Sequence, residues 1–243
     1  MLTAYDYPFA KILDEAGTDI ILVGDSLGMV VLGFETTLPV TMSDMLRHTE
    51  AAARAVKSAL LVADMPYRSY ASPAVASKNA RLLKKAGAQA VKLEGGKAVE
   101  KQIAAILKAG IPVMGHLGML PQSIKKTGGY KVQGRDAKKA EEIFRDAKRL
   151  EALGVFALVL ECVPSDLGAK ITKALKCPVI GIGAGNGTDG QVLVLHDMLG
   201  FESGVRPRFV RKYAALADSA RQAVREYRDD VASGKFPSKE ESY

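Results

Sequence analysis

The sequence predicts an α/β fold, specifically a single (β/α)8 barrel that occupies residues 1–243 as one catalytic domain. Short runs of aliphatic and β-branched residues alternate with longer segments in which Ala, Leu and Lys recur at helical spacing. Eight such runs occur in 243 residues, which is the usual size of one barrel of this kind. Trp is absent and 48% of the residues are hydrophobic, so the core must be mainly aliphatic. An aliphatic core suits parallel strands buried under helices.

Strands are predicted where a β-branched run is followed by a polar residue and a loop. The predicted strands are 2–5, 19–23, 60–63, 90–93, 112–115, 157–160, 179–182 and 192–195. Apolar spacing predicts helices at 8–16, 43–57, 73–86, 97–109, 136–153, 165–175 and 208–231. A doubly wound open sheet stays the alternative, because periodicity alone does not show that a sheet closes.

The ends of the predicted helices carry the expected signals. Four glycines directly follow helical segments: Gly17, Gly87, Gly110 and Gly154. Glycine is common there because it adopts the left-handed conformation that ends a helix. Ser43 and Ser165 are the candidate N-caps of the second and sixth helices.

Composition and charge narrow the choice of partners. The formal net charge is +7, but basic residues are spread along the chain and alternate with acids over 138–149. This pattern indicates a solvated helix face, so we predict small anionic substrates and no nucleic acid. No apolar run is long enough to cross a bilayer and the N-terminus does not resemble a signal peptide, so we predict no membrane partner. Cys162 and Cys177 have no metal-ligand spacing, which favours a reducing, cytoplasmic location.

Ionisable side chains end seven of the eight predicted strands. They are Asp6, Asp25, Asp64, Lys92 with Glu94, His116, Glu161, and His196 with Asp197. Parallel barrel strands all end on one face, and barrel enzymes keep their chemistry there. Each acid alone could be a helix N-cap or a loop residue. Their repetition at the same end of successive strands favours a common polar site.

Such a cluster of carboxylates would repel itself if every group were ionised and unpaired. A divalent cation would relieve the repulsion, and ligands that are all oxygen favour Mg2+. The alternative is that the acids pair with Lys92 and nearby arginines.

Several segments together resemble the ketopantoate hydroxymethyltransferase family, in order and over nearly the whole chain. They are DIILVGDSLGMV at 19–30, TTLPVT at 36–41, AVKLEGG at 90–96, GGYKVQG at 128–134, PVIGIGAG at 178–185 and LHDMLG at 195–200. The sequence departs from the family pattern at Arg68, where a small residue is common, and at Met119, which opens a pair that replaces Leu-Thr.

The resemblance implies a TIM barrel of the phosphoenolpyruvate/pyruvate superfamily type and a Mg2+-dependent transferase. Its reaction moves a hydroxymethyl group from 5,10-methylenetetrahydrofolate to 3-methyl-2-oxobutanoate. The product, 2-dehydropantoate, serves pantothenate and coenzyme A biosynthesis, and the reaction passes through a Mg2+-stabilised enolate. The family is typically a homodecamer.

The resemblance also implies roles for seven residues. It makes Asp25, Asp64 and, through water, Glu94 the metal ligands; Asp25, Ser26, Asp64, Lys92 and His116 the substrate-binding residues; and Glu161 the catalytic general base. Two alternatives stay open: a metal-dependent C–C lyase or mutase of the same superfamily that acts on a 2-oxo acid, and a non-catalytic barrel. A requirement for tetrahydrofolate would distinguish the transferase from a lyase or mutase. Metal-dependent enolisation would distinguish it from a non-catalytic barrel.

Overall fold

The computed structural model describes residues 1–123, 131–201 and 207–243. The first three residues of the GGYKVQG motif therefore lie outside the described residues. The chain divides into two compact units, Met1–Val194 and Leu195–Tyr243. Among the described residues, no helix combines the length and the apolar character needed to cross a membrane.

The first unit contains eight parallel strands that pair in chain order. The strands are β1 (Leu2–Thr3), β2 (Ile20–Val23), β3 (Leu60–Asp64), β4 (Ala90–Glu94), β5 (Val113–Gly118), β6 (Ala157–Glu161), β7 (Val179–Ile182) and β8 (Gly190–Gln191). A parallel bridge joins Leu2 to Leu193, and the Thr3 amide donates to the Leu193 carbonyl at 3.2 Å. This bridge brings the two edges of the sheet together. The predicted barrel is confirmed, and the open doubly wound sheet is wrong.

Helices connect the strands of this unit. They are α1 (Tyr7–Glu15), α2 (Leu27–Val30), α3 (Met42–Ala53), α4 (Pro73–Lys85), α5 (Glu100–Lys108), α6 (Ala137–Leu153) and α7 (Ser165–Ala174), with 3-10 turns at Lys97–Val99 and Pro121–Ser123. The four predicted helix-ending glycines all have positive φ, between 71° and 109°. The predicted N-cap Ser43 is wrong, because Thr41 caps α3 in a capping box with Asp44. Ser165 is also not a cap but the first residue of its helix.

The last predicted strand and the elements after it differ from the sequence prediction. The strand predicted at 192–195 is displaced: β8 begins two residues earlier, where Gly190 and Gln191 pair with Ile180 and Gly181 of β7, and Leu193 makes only the isolated bridge to Leu2. The second unit begins with α8 (Leu195–Leu199) and continues with α9 (Leu216–Ala232) and a 3-10 turn at Lys239–Glu241. His196 and Asp197 therefore lie in a helix and do not end a strand. Helix α9 has no buried residue.

Apolar side chains from the strands, together with Val192 just after β8, form one buried cluster in the first unit. Its buried members are Leu22, Val62, Ala90, Met114, Ala157, Val159, Ile180 and Val192. Side chains alternate along a strand, so the residue two positions further on points the same way. Four polar residues stand two positions beyond members of this cluster: Asp64, Lys92, His116 and Glu161. The apolar cluster therefore forms a floor under a polar layer at the carboxyl ends of the strands.

Candidate active site

The site residues predicted from sequence lie at the carboxyl ends of five successive strands. Asp25 and Ser26 follow β2, Asp64 ends β3, Lys92 and Glu94 lie in β4, His116 lies in β5, and Glu161 ends β6. Five of these residues expose at most 6% of their surface: Asp25, Asp64, Lys92, Glu94 and His116. The Glu161 side chain is 14% exposed. The carboxyl end of the barrel thus buries several ionisable groups together.

Short contacts connect these groups across the strands. The Asp64 carboxylate pairs with Lys92, with Oδ1 2.7 Å from Nζ. The other oxygen of Asp64 accepts the Asp25 backbone amide at 3.1 Å. Lys92 Nζ also lies 3.5 Å from Nδ1 of His116. The parallel register explains these contacts, because it places Asp64 beside Lys92.

His116 lies between two carboxylates from neighbouring strands. Its Nδ1 is 3.7 Å from Oε1 of Glu94, and its Nε2 is 3.1 Å from Oε2 of Glu161. Burial, together with the charge of Lys92, holds the pKa of His116 well below its usual value. The imidazole is therefore neutral at physiological pH, and its contact with Glu161 is not an ion pair.

Burial and mutual repulsion shift the ionisation of the carboxyl groups. Burial raises the pKa of Asp25 to about 7, with the charge of Asp64 adding to the effect. Burial and the charge of Asp25 raise the pKa of Glu94 well above its usual value. Burial raises the pKa of Glu161 to about 7. Three carboxyl groups are therefore harder to ionise here than in water.

Lys92 supplies the opposing charge. Burial alone would lower the pKa of Lys92, but Asp64, Glu94 and Asp25 outweigh burial and raise it. Lys92 is the only lysine or arginine among the buried residues in the part of the chain that the structure describes. One ammonium group thus faces four carboxyl groups, which leaves an excess of negative charge if they ionise.

This excess of oxygen ligands and negative charge fits a hard divalent cation. Asp25 and Asp64 come from adjacent strands and are linked by the amide contact, so they could hold one ion together. Within the described residues, no three acidic, histidine or cysteine side chains are grouped to hold a metal ion. A cation held by the two aspartates would therefore complete its coordination with water or substrate oxygens.

Two contacts to the site come from residues that the sequence prediction missed. Gln122, in the 3-10 turn after β5, donates from Nε2 to Oδ2 of Asp25 at 2.7 Å. The Tyr5 hydroxyl lies 2.8 Å from the hydroxyl of Ser26. A neutral amide in a turn and a tyrosine inside a strand-to-helix connection carry no charge pattern that would mark them in the sequence.

Asp6, which also follows a predicted strand, has a different partner. Asp6 accepts the Phe9 amide at 2.9 Å and caps α1, which is the structural role that a single strand-end acid can have. His196 and Asp197 belong to the second unit.

A separate cavity of about 710 Å3 is lined by residues 38–42, 66–69 and Asn79. None of the predicted site residues lines it. Arg68, one of the two departures from the family pattern, lines this cavity. Its φ is 68°, and its guanidinium lies 5.2 Å from the Tyr67 ring centroid.

A parallel barrel with buried acids, a lysine and a neutral histidine at its carboxyl ends has the architecture of a (β/α)8-barrel enzyme. Solved structures with this fold include phosphonopyruvate hydrolase in complex with oxalate and Mg2+, with a TM-score of 0.63 and 17% identity over 99% of this chain and 87% of that one. Another is 2,3-dimethylmalate lyase, a member of the PEP mutase/isocitrate lyase superfamily, with a TM-score of 0.62 and 15% identity over 99% and 85%. At these identities the likeness shows the fold alone.

Closer relatives define the family. The family model described as ketopantoate hydroxymethyltransferase matches residues 1–239. The 3-methyl-2-oxobutanoate hydroxymethyltransferase of Moorella thermoacetica is 56% identical over all of this chain and 91% of that protein. The enzyme of the same name from Syntrophus aciditrophicus is 54% identical over all of this chain and 90% of that protein. The chain therefore belongs to the ketopantoate hydroxymethyltransferase family.

Proposed function

We propose that this chain transfers a hydroxymethyl group from 5,10-methylenetetrahydrofolate to 3-methyl-2-oxobutanoate. One water is consumed, and the products are 2-dehydropantoate and tetrahydrofolate. Family membership over the whole barrel supports this reaction, which serves pantothenate and coenzyme A synthesis. The structural observation that carries the proposal is the placement of Glu161 near the charged Asp64–Lys92 pair, with one neutral histidine between them.

The proposal assigns a Mg2+ ion to Asp25 and Asp64, with Glu94 acting through a water molecule. When bound, the cation would supply Lewis acidity toward the 2-oxo and carboxylate oxygens of the substrate. Lys92, which stays charged because three carboxylates surround it, would bind the substrate carboxylate or the developing oxyanion. Ser26 would donate or accept a hydrogen bond from a position that the Tyr5 hydroxyl supports at 2.8 Å.

Glu161 takes the proton from C3 of the substrate in this proposal. A base works best when its pKa lies near the working pH, and burial raises the pKa of Glu161 to about 7. His116, neutral and 3.1 Å away, lines the site beside Glu161 without adding a second positive charge to lower that pKa. The carbon that loses its proton then forms a bond to the one-carbon unit of the folate.

Proton NMR in D2O tests the proposal, because it measures the loss of the C3 proton of 3-methyl-2-oxobutanoate. The measurement is made with Mg2+, and a chelator serves as the control. We expect metal-dependent exchange, followed by 2-dehydropantoate formation once 5,10-methylenetetrahydrofolate is added. No exchange by the folded, metal-loaded protein would reject the substrate. Cleavage or rearrangement of a 2-oxo acid without folate would instead favour the lyase or mutase alternative.

Assembly and location form the remaining part of the proposal. A homodecamer follows from the family resemblance, and light scattering on the purified chain measures its mass. A cytoplasmic location and the lack of nucleic-acid partners rest on composition and charge pattern. Small-molecule substrates follow from the family.

A further inference from the structure

We propose that Gln122 is a positioning residue that fixes the cation-binding carboxylates relative to one another. Its side chain holds Asp25, and its backbone amide holds Glu94. The inference rests on the cation site of the proposed function but not on the transfer reaction itself. It assigns a task to the 3-10 turn Pro121–Ser123, which follows β5 and contributes none of the predicted ligands.

Every polar group of the Gln122 side chain has a partner. Nε2 donates to Oδ2 of Asp25 at 2.7 Å and to the carbonyl of Met65 at 2.9 Å. Oε1 accepts a hydrogen bond from the hydroxyl of Tyr70. Gln122 is only 6% exposed, so these partners are not replaced by bulk water.

These partners determine which way the amide faces. The Met65 carbonyl presents only an acceptor to this end of the side chain, and so does the Asp25 carboxylate in the ionised form that binds a cation. A flipped amide would place Oε1 against both acceptors and lose two hydrogen bonds, so one orientation is strongly preferred. Gln122 therefore donates to Asp25 from a fixed direction.

The backbone of the same residue reaches the second carboxylate. The Gln122 amide donates to Oε2 of Glu94 at 3.0 Å. Asp25 follows β2 and Glu94 ends β4, and β3 separates these strands in the sheet. The sheet therefore does not pair the strands that carry these two carboxyl groups with each other. Gln122 connects the two carboxyl groups, because it donates a hydrogen bond to each.

The hydrogen bonds from Gln122 to Asp25 and Glu94 should affect how tightly the site binds a cation. Hydrogen bonds from outside the ligand shell orient metal-binding carboxylates, and their loss typically weakens metal binding by roughly 10- to 100-fold. Removing the Gln122 amide would free Asp25 to rotate while leaving both carboxylates, Lys92 and the backbone contact to Glu94 in place. The expected defect is therefore in cation affinity.

The test measures Mn2+ binding to the full chain by the electron paramagnetic resonance signal of free Mn2+, with no substrate present. Gln122→Met keeps the length of the side chain and removes its donors. We expect this variant to bind Mn2+ roughly 10- to 100-fold more weakly than the wild type. Gln222→Met is the matched control, because Gln222 lies exposed on α9, where its side chain donates a hydrogen bond to exposed Glu226. The control should bind Mn2+ as the wild type does.

Tyr70→Phe supplies a second, milder test. It removes the hydroxyl that holds Oε1 of Gln122 and keeps the ring, so the fold should survive. We expect Mn2+ affinity to fall by about 2- to 5-fold, less than for a direct partner of a ligand. In the Gln122→Met background, Tyr70→Phe should cause a smaller loss than in the wild type, because the part of its effect that acts through the Gln122 amide is already gone and only its contact with the Glu94 backbone remains.

Thermal unfolding in chelator checks that each variant is folded. Unchanged Mn2+ affinity in folded Gln122→Met overturns the inference. If that variant does not fold, unchanged affinity in Tyr70→Phe overturns it, as does the absence of Mn2+ binding by the wild type. A wild type that binds Mn2+ but fails to transfer the hydroxymethyl group rejects the proposed reaction and leaves the role of Gln122 standing.

Discussion

Aspartate and glutamate side chains have opposite roles at the two ends of the barrel. At the amino ends, acids from helices bind the backbone that leads into a strand. Asp14, near the end of α1, accepts amides from residues 57, 58 and 59, just before β3, at 2.8–3.0 Å. Glu151 of α6 likewise accepts the amides of Lys176 and Cys177, just before β7.

These partners shift the ionisation of the acids in the opposite direction from those in the site. Backbone hydrogen bonds, led by the Ala59 amide, lower the pKa of Asp14. Burial alone would raise the pKa of Glu151, but the Lys176 and Cys177 amides together with Lys148 outweigh it and lower the pKa. At the carboxyl ends, burial raises the pKa of Asp25 and Glu161 to about 7.

The difference shows that the surroundings of an acid, rather than its residue type, decide what it does. Asp14 and Glu151, at the amino ends, meet backbone N–H groups that need an acceptor, so their charge stabilises the fold. Asp25, Glu94 and Glu161, at the carboxyl ends, are buried near other acids, so their ionisation opposes folding and they are candidates for binding or proton transfer.

The largest expected effect is on the exchange of the substrate C3 proton, which should depend on an acid at the carboxyl ends and not on one at the amino ends. Glu161→Gln should lower metal-dependent exchange of the C3 proton by roughly 10^2- to 10^4-fold, because it removes the base without changing the size of the side chain. Glu151→Gln makes the same chemical change at the other end of the barrel and should leave exchange unchanged. Proton NMR in D2O measures both variants, and equal rates for Glu161→Gln and the wild type would remove Glu161 as the base.

The next largest effect is an increase in stability when Glu161 is replaced by Gln. Burial raises the pKa of Glu161 from 4.5 to about 7, so the folded protein keeps a proton that the unfolded chain releases. The free energy of unfolding of the wild type therefore falls as pH rises from about 4.5 to about 7, because Glu161 ionises more readily in the unfolded chain. Glu161→Gln should then increase the free energy of unfolding above pH 7 by at most roughly 3 kcal/mol, with little change near pH 4.

Urea unfolding at the two pH values, in chelator, measures this change. The same unfolding in Mg2+ serves as a control, because a bound cation would favour the ionised carboxyl groups and reduce the gain. A Glu161→Gln variant less stable than the wild type at pH 8 in chelator would contradict the picture of a site whose charges oppose folding.

The smallest expected effect is a loss of stability when an acid at the amino ends is removed. Glu151→Ala should lower the free energy of unfolding at neutral pH by roughly 1–2 kcal/mol, because backbone amides lose a charged acceptor. The pKa of Glu151 is lowered in the folded protein, so its contribution is present above the unfolded pKa and is lost as pH falls through the folded pKa. Urea unfolding against pH measures this loss. A penalty that grew toward acid pH would contradict the assignment.

The comparison also explains how much the sequence could predict. The carboxyl-end residues were predictable because each follows a β-branched run, and parallel strands bring such positions together. Gln122 and Tyr70 were not, because their role depends on a turn folding back over Asp25, and no periodic pattern marks that contact.

The misplaced last strand has a different cause. Residues 192–195 have the apolar character of a strand, whereas Gly190 and Gln191 have low strand propensity. Pairing with β7 decides the position of the strand instead, and Leu193, inside the predicted segment, makes the isolated bridge to Leu2. Tertiary context thus overrides local preference where the barrel closes.

The alternation along β4 limits how this scaffold can change in length during evolution. Lys92 and Glu94 lie two residues apart, and β4 aligns them with Asp64 on one side and His116 on the other. Deleting or inserting one residue in β4 would exchange the two faces of the strand and bring Val91 and Leu93 into the site. Viable insertions and deletions should therefore accumulate in the connections, while the strands keep their length.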